Sequence, residues 1–234
     1  MLSARWLGVW AFLAVHASMR FAGLFGPAQW RPLILLSFLL LWITPFVLLA
    51  KQDRQAIGMR SLKGPLGHVS ALSVGMATAL AVFAVAWALY GLSPDHPFSS
   101  VRDSYFSGVT PNLDAIGLFL IFTVPALIFS PIGEEFFCRG VIARLGEKSF
   151  GAMVGVVISA AVFAALHVMH HGLLRTPDGW SYVGWSGATW FVLMFSTSLV
   201  FSMLRMRSGS IWTAVVAHAG FNLAMNGIIF TLFL

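Results

Sequence analysis

Ile132-Gly133-Glu134-Glu135-Phe136-Phe137-Cys138-Arg139-Gly140 places two adjacent carboxylates and a guanidinium inside an apolar run. On both sides the chain is hydrophobic enough to sit in a bilayer. An ionisable side chain near the middle of a membrane helix costs about 2.5–3.5 kcal/mol on insertion scales. A chain in which only 9% of residues are charged does not carry such a group without a use for it, so this stretch is read as the centre of an active site. Apolar residues make up 59% of the sequence, above the roughly 45–50% of soluble domains. The fold expected is an all-α, polytopic membrane bundle of about seven transmembrane helices around an intramembrane cavity. The net charge of +6 raises the question of nucleic acid. The basic residues form no single patch, however; they recur at the ends of apolar runs, where they fix orientation. The partners expected are therefore the lipid bilayer and a membrane-associated protein or peptide, and no nucleic acid. The single cysteine, Cys138, excludes an internal disulfide and a multi-cysteine metal site.

Working outward, the first apolar run spans Trp6 to Ala22. Val15-His16-Ala17 is a passable cleavage site for a signal peptide, but the run continues past it to Arg20, so a retained span is expected. The second run is Leu33 to Ala50, kinked at Pro45. Lys51 to Lys63 is the most basic connection and is placed in the cytoplasm. Val69 to Leu92 is the third span, with Gly75, Ala77, Ala79 and Ala81 available for close helix approach. Ser93 to Asn112 reads as an outside loop. Leu113 to Gly146, too long for one simple span and interrupted by Pro125 and Pro131, reads as a long kinked helix or as two helices in series. Gly151 to His170, Ala188 to Leu204 and Ile211 to Leu234 supply the remaining spans, the last either one span or a span with a terminal break near Asn226. Residues 1–112 thus form an N-terminal part of about three spans, and residues 113–234 the catalytic helical core. The basic-residue pattern puts the amino terminus in the cytoplasm. Arg20, Arg31, Arg102 and Arg175 fall on the outer side, and the location expected is a bacterial inner membrane.

Three places put polar groups inside spans: Glu134, Glu135 and Arg139; Phe163 to His167; and His218 to Asn222. Glu135 and Arg139 are four apart and share a helix face, so they can pair. Glu134 is rotated about 100° from Glu135 and is free for another task. His218 and Asn222, also four apart, can aim into one cavity, and Phe163 packs one turn before His167. Counted from the cytoplasmic ends at about 1.5 Å per residue, Glu134, His167 and His218 lie roughly 18, 24 and 12 Å deep, close enough to meet in one chamber. A carboxylate, two imidazoles and a carboxamide in a dry cavity suggest hydrolysis. Glu134 would take a proton from water with His167 orienting it, and His218 and Asn222 would donate to a developing oxyanion. The same atoms admit a second scheme, with Glu134, His167 and His218 binding zinc, although no HExxH helix supports it and no cofactor is favoured. A structural clamp or a proton relay in a transporter would also use a Glu–Arg pair. Cys138 shares a face with Glu134 but has no evident activating partner. His170 and His171 are read as interfacial, and His16, His68, His96 and Asn226 are given no role.

Glu134-Glu135-Phe-Phe-Cys-Arg139, Phe163 to His167 and His218 to Asn222 resemble, in order and spacing, the EExxxR, FxxxH and HxxxN motifs of the CPBP family, the CAAX proteases and bacteriocin-processing enzymes. The resemblance covers roughly Leu113 to Asn226. It implies an intramembrane endopeptidase of the type II CAAX prenyl protease class, glutamic in type though historically grouped with metalloendopeptidases. It implies Glu134 as general base with His167, His218 and Asn222 as the oxyanion hole, and Glu135 and Arg139 as site-shaping residues. Cys138 departs from the apolar residue common at that position. The family also includes non-proteolytic scaffolds and bacteriocin-immunity proteins, so these are the alternative expectation, with a proton-coupled transporter after them.

Overall fold

The structure, a computed structural model, describes residues 2–59, 64–106, 112–176 and 179–234. Arg60, Lys63 and Pro111 of the expected connections lie outside the described residues. Helix α1 (Leu2–Phe25) is followed by a short 3-10 turn, α2 (Pro32–Trp42), α3 (Thr44–Leu48), α4 (Lys51–Ala56), α5 (Pro65–Tyr90) and α6 (Pro97–Phe106). Then come α7 (Ala115–Glu135), a π-helical segment (Phe136–Ile142), α8 (Ala143–Phe150), α9 (Ala152–His167), α10 (Gly184–Ser208) and α11 (Ile211–Leu232). Between α9 and α10 a two-stranded antiparallel ribbon pairs β1 (Leu173–Thr176) with β2 (Gly179–Tyr182), where only a loop is expected from sequence.

Among the described residues six helices are long and apolar enough to cross a membrane. The seventh expected span, α9, has 16 residues. At 1.5 Å per residue that is about 24 Å, short of a hydrocarbon core of about 30 Å. Its last residue is His167, so the shortness of α9 stops an imidazole inside the apolar layer.

Of the two arrangements expected for Leu113 to Gly146, the single long helix is the one found. Both prolines sit within α7, and the chain continues as one helical rod from Ala115 to Phe150. What changes is the winding: Phe136–Ile142 is π-helical and wholly buried. Such wide turns occur frequently at functional sites, and this one begins directly after the two glutamates. The last run likewise passes Asn226 unbroken. The region from Ser93 to Asn112 is not simply an outside loop, since α6 buries Phe98 and Val101 in the core.

Two backbone seams set the helix positions. A Cβ on Gly75 of α5 would lie 1.8 Å from the Ala217 carbonyl oxygen, and one on Gly220 of α11 would lie 2.3 Å from that of Leu72. Small residues permit this approach. Ala79 joins the contact face, whereas Ala77 and Ala81 point outward. A second seam holds α9 on α8, where a Cβ on Gly146 would lie 2.6 Å from the Gly155 Cα.

One end of the bundle gathers the charges. Asp53 of α4 receives Arg5 at 3.4 Å, Arg144 at 3.1 Å and Lys148 at 2.7 Å. Arg205 lines a surface cavity with Arg144 and Glu147 at this end. At the opposite end Arg31 donates to the carbonyls of Ser104 and Tyr105, and Arg102 to that of Phe233.

Candidate active site

Glu134 and Glu135 sit where α7 gives way to the wide π turn, and they face different neighbours, as adjacent helical residues must. Glu134 is 1% exposed. Its Oε2 lies 3.7 Å from His167 Nε2 on α9 and 3.9 Å from His218 Nε2 on α11. Its Oε1 accepts a hydrogen bond from Arg20 Nη1 of α1 at 3.3 Å. Glu135 pairs with Arg139 at 3.1 Å and accepts from His218 Nδ1 at 2.9 Å. Arg139 lies over the Phe163 ring at 4.2 Å and near the Phe201 ring at 5.5 Å, so aromatic faces take up cationic charge that water would otherwise solvate. Two carboxylates therefore meet two guanidiniums, all fully buried.

The histidine tautomers follow from these partners. His167 Nδ1 lies 2.8 Å from the Phe163 carbonyl oxygen. A carbonyl can only accept, so Nδ1 carries the proton and Nε2 presents its lone pair. His218 Nδ1 faces a carboxylate already paired with Arg139, which gives the neutral ring the same arrangement. Two Nε2 acceptors and Glu134 Oε2 thus converge on one point, a place suited to a molecule that donates hydrogen bonds, such as water. Asn222 Nδ2, one turn beyond His218, donates to the Ala126 carbonyl at 2.8 Å. Phe163 stacks at 4.2 Å on His167 and meets His218 edge-on at 5.7 Å, which walls off both rings. The four groups line a single cavity of about 320 Å³.

Zinc fits this arrangement poorly. Tetrahedral ligands at about 2.1 Å from the metal stand about 3.4 Å apart, closer than the separations from Glu134 Oε2 to either imidazole. The other Glu134 oxygen is held by a guanidinium, and no group of three His, Cys, Asp or Glu among the described residues is gathered to hold a metal ion.

Several placements differ from those expected. Arg20, expected on the outer side, is turned into the bundle. It is 1% exposed, contacts both Glu134 and His170 Nε2, and packs over Phe38 at 5.1 Å. His170 is not interfacial but lines the cavity. His171 is buried behind α6, with Nδ1 2.7 Å from Ser100 Oγ. Burial pushes its imidazole down to about 4, against the opposing pull of Asp95. His16, one turn before Arg20, is buried with Nδ1 3.1 Å from the Ser37 carbonyl. Asn226 clasps Thr123 and Tyr105 one layer further along α11. The signal for Arg20 was present in the sequence: His16 and Arg20 show the same four-residue polar spacing, within an apolar run, as Glu135 with Arg139 and His218 with Asn222. Cys138 is buried and does not line the cavity.

Residues 116–224 match the family model described as Rce1-like, the type II CAAX prenyl endopeptidases. This segment belongs to that family. The family is one of proteases, and the match contains Glu134, His167, His218 and Asn222 while leaving out Arg20. Comparison with curated proteins and with solved structures finds no match.

Proposed function

We propose that the chain is an intramembrane endopeptidase that hydrolyses a peptide bond in a membrane-associated protein or peptide. The observation that carries this is the meeting of Glu134 Oε2 with the Nε2 atoms of His167 and His218, within 3.9 Å, on the wall of a cavity inside an apolar bundle. Glu134 takes a proton from water while His167 Nε2 accepts the second O–H and aims the oxygen. The hydroxide adds to the peptide carbonyl carbon. Asn222 Nδ2 donates to the resulting oxyanion, and the His218 ring faces it from the preceding turn. Glu134 returns its proton to the leaving amine as the C–N bond breaks. Arg20 holds Glu134 Oε1 and leaves Oε2 to face the water, and the Arg139–Glu135 pair holds the His218 ring in place. This scheme uses no metal.

Glu134→Gln is isosteric and removes the base. Comparative membrane proteomics of wild type against this variant should show a protein whose terminus changes only when Glu134 is intact, with the change surviving thorough chelation. An unchanged set of termini, with the variant folded and inserted and its cellular phenotype retained, would instead support a scaffold or immunity protein.

A further inference from the structure

The cavity has one direction. Helix α1 contributes to it from Arg20 onward, α7 up to Glu134 and nothing after it, and α11 from His218 onward. In each helix the wall runs from the level of Glu134 towards the end that carries Arg31, Arg102 and the last turn of α11. Towards the other end the floor is solid, made of Phe137, Val141 and Leu145 with Ile57 against the π turn, none of them exposed. Beyond that floor lie Arg5, Lys51, Arg54, Arg144, Lys148, Arg205 and Arg207, at the end where Asp53 gathers three of them.

The upper wall also reaches the outside of the bundle. Leu35 of α2 and Ile121 of α7 line the cavity, yet are 38% and 45% exposed on the apolar outer surface of the bundle. Two close contacts between these helices lie below that level. Trp42 Nε1 donates to the Phe129 carbonyl at 2.9 Å, and Gly133 abuts the Phe38 backbone.

Lys and Arg accumulate on the cytoplasmic side of membrane proteins, which puts the solid floor on the cytoplasmic side and the open chamber on the other. We infer that the site is reached from the extracytoplasmic leaflet, between α2 and α7, and that its substrate is a membrane-anchored polypeptide whose apolar scissile segment lies in that leaflet. The substrate half of this inference rests on the protease reading; the sidedness does not. A lipidated tail presented from the cytoplasm would meet the floor.

Sidedness is measurable without a substrate. In a Cys138→Ala background, Ser130→Cys and Ser104→Cys place thiols on the cavity wall, and Gln55→Cys places one on the charged end. A membrane-impermeant charged maleimide should label the two wall positions in right-side-out vesicles and not in inside-out ones, with the reverse for Gln55→Cys. Adding Glu134→Gln should leave this pattern unchanged. Wall thiols labelled only in inside-out vesicles, or in neither, with detergent-unfolded protein labelling fully, would overturn the inference. If labelling is as expected but no terminus depends on Glu134, the protease reading fails and the sidedness stands.

Discussion

Replacing Arg20 with Met keeps an unbranched apolar stem and removes the charged guanidinium. Arg20 and Glu134 have side chains only 1% and 2% exposed at 3.3 Å separation, so surface screening does not weaken the pair. Removing one partner of a buried ion pair costs about 3–5 kcal/mol, because the other charge is left uncompensated. Here the orphan would be Glu134, facing two neutral imidazoles. For a chain of this size 1 kcal/mol shifts Tm by roughly 2–4 °C, so Arg20→Met should lower the melting temperature in detergent by about 6–20 °C. Glu134→Gln orphans Arg20 in turn, while the double variant leaves neither charge alone. A double-mutant cycle should therefore show a coupling near the upper end of the 0.5–3 kcal/mol seen for contacting residues. Arg20→Lys should recover part of the stability but not the fork that reaches both Glu134 and His170. Additive single effects, or an Arg20→Met protein as stable as wild type, would refute the view that α1 supplies the counter-charge of the site.

Gly75→Ala should cost at least 1–3 kcal/mol by overpacking, since its Cβ would fall 1.8 Å from a backbone oxygen, and it should reduce processing by shifting α11. Ala77→Leu, two residues on but outward-facing, is the near-neutral control, and thermal unfolding of both in detergent is the check. His171 has its imidazole held down to about 4 by burial. The unfolded chain therefore binds the proton first, and the stability that neutral His171 contributes is full above about pH 6.5 and lost as pH falls towards 4. Between pH 7.5 and 5 that amounts to roughly 2 kcal/mol, and His171→Gln should flatten this part of the stability profile.

The residues that converge were legible because charge is costly in an apolar run: Glu134, His167, His218 and Asn222 stand out against their surroundings, and helical spacing predicts which of them share a face. Arg20 was hidden by position. It lies near the end of its apolar run, where a basic residue ordinarily anchors a span at the interface, and only tertiary packing carries it to Glu134. Pro125 and Pro131 left two arrangements open, one helix or two in series; neighbouring helices absorb the hydrogen bonds that proline removes, and the helix runs on. The π turn has no local signature, because its widening is decided by packing around Phe136–Ile142. Helix α6 was obscured by Ser, Asp and Arg, although Phe98 and Val101 are the residues it buries. The sidedness of α5 was visible only in part, since Gly75 and Ala79 mark the seam but Ala77 and Ala81 lie off it.

The seam between α5 and α11 also divides the bundle mechanically. Where two main chains touch with no side chains between them, there is no layer of rotamers to yield, and sliding or tilting meets hard repulsion at once. The wall bearing His218 and Asn222 is thus the fixed jaw. α7 is tied to that wall through Ala126 and Thr123, so widening that admits a polypeptide falls to α2, which is already broken at Ile43.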